Sequence, residues 1–164
     1  MNSETPKILI AYFSHSGNTR TIAEEIHKKV GGDLFEIATV KPYPKEYNTV
    51  VDIAKREQNA NNRPELAGKV ENMASYDMVF IGYPNWWGTM PMAVFHFLEQ
   101  YDFSGKKILP FCTHEGSRLG YSEKDIVSLC PDASVMSGLA VRGSQVNSAQ
   151  NDVVQWLRQT GLRA

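Results

Sequence analysis

The sequence predicts an α/β fold. It is a three-layer α/β/α sandwich around a five-stranded parallel sheet in the strand order 2-1-3-4-5. Three observations carry this reading. Short apolar runs, little broken by polar residues, read as strands buried on both faces. Segments with apolar residues at helical spacing lie between them. Glycines and prolines punctuate the joins. Strand and helix therefore alternate along the chain, which implies right-handed crossovers and helices on both faces of the sheet. The 164 residues fit one domain, 1–164, because domains most often hold about 100–150 residues.

The elements follow in order. Ile8 to Phe13 is an unbroken apolar run and the first strand. Ser14 to Asn18 interrupts it, and Ile22, Ala23, Ile26 and Val30 then fall on one helical face, stopped by Gly31-Gly32. Leu34 to Val40 is the second strand, broken by Pro42 and Pro44. Tyr47, Val50, Val51 and Ala54 repeat at helical spacing, and Asn59 to Gly68 reads as a polar loop. Asp77 to Tyr83 is the third strand. After a loop from Pro84 to Met90, Pro91 suits the first turn of a helix whose buried face is Val94, Phe95, Leu98 and Tyr101. Lys107 to Cys112 is the fourth strand, and Thr113 to Gly120 its loop. Ser122 and Asp125 resemble a capping box for the next helix. Ser134 to Val141 is a weaker fifth strand interrupted by Gly138, and Val153, Val154 and Leu157 mark a last helix ending near Gly161.

Composition narrows the function classes. Hydrophobic residues are 42% and charged residues 21% of the chain, a globular and not a disordered balance. The formal charge is −1, which argues against a nucleic-acid binder, since such a protein needs a basic stripe. Two cysteines, Cys112 and Cys130, are too few for a disulfide framework or a Cys/His zinc site. No run reaches the roughly 18 apolar residues of a membrane span, and the polar start, Met1 to Lys7, is not that of a secretory signal. The expected location is cytoplasmic, with buried, inert thiols.

In a sheet of this order, ligands bind beyond the carboxyl ends of the strands, at the point where the connections change direction. The loops after the first, third and fourth strands should therefore carry unusual chemistry, and they do. The first, Ser14-His15-Ser16-Gly17-Asn18-Thr19-Arg20, crowds donors onto a helix start. The free N–H groups there carry about half a positive charge and would wrap a phosphate without a lysine. An ordinary helix cap explains less of this density. The nucleoside-triphosphate pattern Gly-x-x-x-x-Gly-Lys is absent from the loop, as is Gly-x-Gly-x-x-Gly. The second, Pro84-Asn85-Trp86-Trp87-Gly88-Thr89-Met90-Pro91, sets two tryptophans side by side at a strand end. At least one reads as an aromatic wall for a planar ligand; the competing reading is cover for the sheet edge or a dimer contact. The third, Thr113-His114-Glu115-Gly116-Ser117-Arg118-Leu119-Gly120, offers hydroxyls, glycines that permit close approach, and a histidine able to titrate near neutrality. The His114 and Glu115 side chains are equally readable as solvated.

Together the three loops resemble the flavodoxin family over essentially the whole chain. The first is similar to its phosphate loop, Ser/Thr-x-Ser/Thr-Gly-Asn-Thr. The Tyr-Pro-x-Trp-Trp-Gly-x-x-Pro and Thr-His-Glu-Gly-Ser runs match in position its two ring loops. The resemblance implies a flavodoxin-like fold and non-covalently bound FMN, with the flavin performing the redox chemistry and the protein tuning it. It implies that Ser14, Ser16, Asn18 and Thr19 hold the phosphate, with backbone N–H groups from His15 and Gly17. It implies that Pro84, Asn85, Trp86, Trp87 and Gly88, with Thr113, His114, Glu115 and Gly116, clasp the ring. A peptide at Gly88, or at Asn85, would turn to meet the reduced ring. An apolar wall and Glu115 would disfavour an anionic reduced flavin.

The implied role is an electron carrier between partners. The near-neutral charge departs from the strongly acidic surface of the family's carriers, which leaves room for an FMN-dependent NAD(P)H reductase of quinones or other small molecules. The partner is then a redox protein or a small-molecule acceptor, and the oligomeric state is left open. Residues 43–62 would frame a substrate or partner surface. From another class, Cys112 and Arg118 have the Cys-x5-Arg spacing of a phosphatase loop, with Glu115 and Leu119 against it.

Overall fold

The computed structural model describes residues 6–162. The polar start at residues 1–5 lies outside them. The central sheet is built on β1 (Ile8–Tyr12), β5 (Met78–Pro84) and β6 (Lys107–His114). These three are buried almost end to end, as their continuous apolar runs require. β2 (Asp33–Glu36) pairs outside β1, and two short pieces, β7 (Ser134–Val135) and β8 (Leu139–Arg142), pair with successive stretches of β6. Every pairing in this sheet is parallel. With β7 and β8 counted as one interrupted strand, the observed order β2-β1-β5-β6-β7/β8 is the expected 2-1-3-4-5. The register is continuous across the sheet: Ile10 sits between Leu34 and Phe80, and Phe80 beside Leu109.

Alternate residues feed two cores. Ile8, Ile10 and Tyr12 join Phe80 and Phe111 under α1 (Asn18–Val30) and α5 (Gln150–Gln159), through Ile22, Ile26, Val153 and Leu157. Leu9, Ala11 and Phe13 join Val79, Ile81 and Tyr83 under α3 (Met92–Glu99) and α4 (Ser122–Leu129), through Val94, Phe97 and Ile126. α2 (Tyr47–Asn59) lies against α3.

Four local expectations are corrected. The second strand ends at Glu36, and Ala38–Thr39 turns away as β3 to pair antiparallel with β4 (Leu66–Ala67), inside the stretch read as a polar loop. The fourth strand runs two residues further than expected, so Thr113 and His114 are strand residues bonded in register with Val141 and Arg142. Pro91 precedes the helix it was expected to open, in extended conformation. The capping box does not form. Ser122 is buried and donates to the Leu119 carbonyl at 2.6 Å, while Asp125 accepts from the Thr89 hydroxyl. A hydroxyl drawn into the core is not free to cap.

Candidate functional site

The three loops converge at the carboxyl ends of β1, β5 and β6, where β1 and β5 send their connections to opposite faces of the sheet. They enclose a cleft of about 340 Å³. Volumes of about 300–1,000 Å³ are usual for small-molecule sites.

In the first loop, Ser14 Oγ accepts from the N–H groups of Gly17 and Arg20 at 3.1 and 3.2 Å. Gly17 takes a left-handed conformation, φ +98°, that opens the helix sharply. Thr19 is buried, its hydroxyl 2.8 Å from that of Thr113. The Ser14 and Thr19 hydroxyls are thus engaged within the protein, whereas the Ser16 and Asn18 side chains line the cleft. The backbone N–H groups of His15, Ser16, Asn18 and Thr19 have no protein acceptor among the described residues. They stand at the positive end of a 13-residue helix, which fits the anion cradle expected from the sequence. The His15 ring faces away from this cradle: Nε2 donates to the Pro44 carbonyl at 2.8 Å.

The second loop is a two-residue hairpin turn. Trp86 and Thr89 exchange backbone hydrogen bonds of 2.8 and 3.3 Å around Trp87 (φ +55°) and Gly88 (φ +91°). Positive φ at both central residues makes this a type I′ turn, where glycine is natural at the second position and tryptophan rare at the first. The two tryptophans diverge. Trp86 packs edge-on against Phe13, Tyr43 and His15. Trp87 is 48% exposed, under the Lys55 ammonium at 4.7 Å. Asn85 ties the second loop to the third: it accepts from Gly88 N–H at 3.0 Å and donates to the Arg118 carbonyl at 2.8 Å. Pro84, Asn85, Trp86, Trp87 and Gly88 all line the cleft.

In the third loop, Thr113, His114, Glu115 and Ser117 line the cleft, and Gly116 stands beside the Arg142 guanidinium. His114 Nδ1 accepts from the Gly116 N–H at 2.9 Å, which leaves the ring proton on Nε2. Burial, then the charges of Arg142 and Arg118, hold its pKa below the usual histidine value. His114 is therefore neutral at neutral pH, not poised there as its residue type suggested. Glu115 directs its carboxylate toward Asn18 and Gly143.

The phosphatase reading fails on Cys112. This thiol is 1% exposed, lies inside β6 and donates to the carbonyls of Thr113 and Arg118. Burial pushes its pKa up to about 12, so it supplies no thiolate. Cys130 is likewise buried and pushed up to about 11.

Sequence reasoning missed the fourth wall. Tyr47, Val50, Val51 and Ala54 of α2 complete the cleft. Their helical spacing was visible, and residues 43–62 were expected to frame a surface, but periodicity does not tell a face packed on protein from one packed on a ligand.

Comparison with known proteins agrees with this architecture. The chain is 30% identical to a flavodoxin of Synechocystis sp. over 121 residues, which are 71% of this chain and 56% of that protein. The matched part thus spans about half the length of that relative. A candidate flavoprotein of Bacteroides eggerthii, known from its crystal structure, is 34% identical. Its TM-score is 0.85, with 96% of this chain and 99% of that one covered. A Lactobacillus acidophilus flavoprotein crystallised with FMN shares the fold at 24% identity and TM-score 0.71, over 87% and 97% of the two chains. The flavodoxin family model matches residues 7–160, a stretch that contains every strand and all three loops, and the chain belongs to the flavodoxin family.

Proposed function

We propose that this protein carries electrons between redox partners through FMN held non-covalently in the cleft. The observation that carries the proposal is the shared cleft. Ser16 and Asn18 line one end of it, in a loop with four unpaired backbone N–H groups, and the Trp86-Trp87 turn, the end of β6 and the α2 face form its walls. A phosphorylated planar ligand fits that division of polar and apolar surface. FMN, when bound, supplies one- or two-electron redox chemistry.

The chain's residues have the following parts. Ser16, Asn18 and the free N–H groups of residues 15–19 bind the phosphate. Ser14 and Thr19 shape the loop from within and are not direct phosphate ligands in this reading. Trp86, Trp87, Val50, Val51 and Ala54 exclude water from the ring. Pro84, Asn85, Gly88, Thr113 and His114 border it with backbone groups and short polar side chains. Neutral His114 adds no positive charge that would favour an anionic reduced ring.

Two observations favour a second reading, an FMN-dependent reductase of small molecules. Tyr47 and Trp87 at the cleft are 71% and 48% exposed, and the formal charge is −1. An aromatic mouth on a near-neutral protein suits a planar acceptor as well as a protein one.

Absorption spectra before and after adding FMN, followed by stepwise reduction, test both. Flavin bands that shift on binding, with reduction in two separate one-electron steps, support the carrier. Reduction in a single two-electron step favours the reductase, and quinones with NAD(P)H would then be assayed. Absence of FMN binding overturns both.

A further inference from the structure

The last strand reaches the site through two adjacent residues, Arg142 and Gly143. Arg142 Nη1 donates to the Glu115 carbonyl at 2.9 Å. Gly143 is buried, and a methyl group there would lie 2.4 Å from Glu115 Oε2 and 2.7 Å from Asn18 Nδ2. Non-bonded heavy atoms settle at about 3.5–4.0 Å, so any side chain at this position displaces a carboxylate of the third loop, an amide of the first, or both. The two groups approach one point because Gly143 has no Cβ.

We propose that Arg142 and Gly143 are positioning residues of the cofactor site. Arg142 fixes the backbone of the third loop. Gly143 admits Glu115 and Asn18 side by side at the edge of the anion cradle. Neither residue lines the cleft; both act through residues that do. The inference rests on Asn18 serving the phosphate end of FMN. A side chain at 143 therefore damages recognition of the phosphate more than recognition of the ring.

The test is fluorescence titration of the apoprotein with FMN and with riboflavin, which lacks the phosphate. Wild type, Gly143→Ala, Gly143→Ala with Glu115→Ala, and Arg142→Gln are compared. Gly143→Ala is expected to weaken FMN binding about tenfold and riboflavin binding less than about threefold. Adding Glu115→Ala removes one of the two clashes and recovers part of the loss. Wild-type FMN affinity in Gly143→Ala, or equal losses for the two ligands, overturns the inference. If Gly143→Ala does not fold, Arg142→Gln carries the test, because that side chain is exposed. About threefold weaker FMN binding at unchanged Tm is expected, with recovery in Arg142→Lys, which keeps a donor; unchanged affinity in Arg142→Gln overturns the inference. Wild-type protein that binds no FMN overturns the cofactor reading itself, and this inference with it, before any variant is compared.

Discussion

The indole N–H of Trp87 donates to the Val51 carbonyl at 2.9 Å, so the hairpin turn after β5 is pinned to helix α2. Lys55 covers the same ring, and Gln58 Nε2 donates to the Trp87 carbonyl at 3.2 Å. Three contacts from successive turns of one helix thus hold a bulky residue at φ +55°, where non-glycine residues pay about 1–2 kcal/mol.

That backbone cost is separable from the side-chain contacts. Trp87→Ala and Trp87→Gly both remove the indole bond and the Lys55 contact, but only glycine relieves the left-handed conformation. Trp87→Gly is expected to be more stable than Trp87→Ala by about 1 kcal/mol, read from urea unfolding midpoints. Equal midpoints would show that the turn relaxes once the indole is gone.

The hydroxyl pair of Thr19 and Thr113 joins the first loop to the end of β6 at 2.8 Å, fully buried. Replacing either threonine by valine keeps the shape and strands the other hydroxyl, at a cost of about 1–3 kcal/mol. The double valine variant should lose less than the sum of the two single losses, because no unpaired hydroxyl remains. Additive losses in urea unfolding would mean that each hydroxyl finds another partner.

This pair also marks where sequence reading stopped. Both threonines were expected at the site, one in a phosphate-loop pattern and one at the start of the loop after the fourth strand. That their hydroxyls pair with each other depends on register: Thr113 stands opposite Pro84 and Val141 in the sheet, and no local pattern encodes that. The central strands were legible because burial on both faces leaves no polar residues to confuse the period. β3 and β4 were not, because a two-residue ribbon has no period at all. Arg142 and Gly143 carried no signal, since their importance lies in what a missing Cβ lets two distant side chains do.

His114 gives the protein a pH-dependent stability. Its folded pKa is held below the unfolded value of about 6.5. The folded state thus resists protonation while the unfolded chain accepts it. The stability it contributes is complete above the unfolded value and is lost as pH falls through that value toward the folded one. Unfolding midpoints of the wild type should therefore drop below about pH 6.5, and His114→Gln should flatten that part of the profile. An NMR titration of the imidazole at or above the usual histidine value would sink this account.

Glu57 works with the opposite sign. Tyr43 donates to its Oε1 at 2.6 Å, beside the edge-on stack with Trp86. Burial raises the Glu57 pKa, and the bond from Tyr43 only partly opposes it. A raised folded value means that this carboxyl's stabilising contribution is complete below the ordinary carboxylate range. It is lost as pH rises through the folded value. At neutral pH the charge is then a burden on the fold. Glu57→Gln removes the charge and keeps an acceptor for Tyr43. Its urea midpoint should exceed that of the wild type near about pH 7, and the gap should close near about pH 4, where most of the wild-type carboxyl is protonated. Glu57→Leu separates the two effects: it also removes the charge but leaves the Tyr43 hydroxyl without its acceptor, so it should fall below Glu57→Gln at both pH values. A glutamine variant with no advantage at neutral pH would mean that water reaches the Glu57 carboxylate and already stabilises its charge.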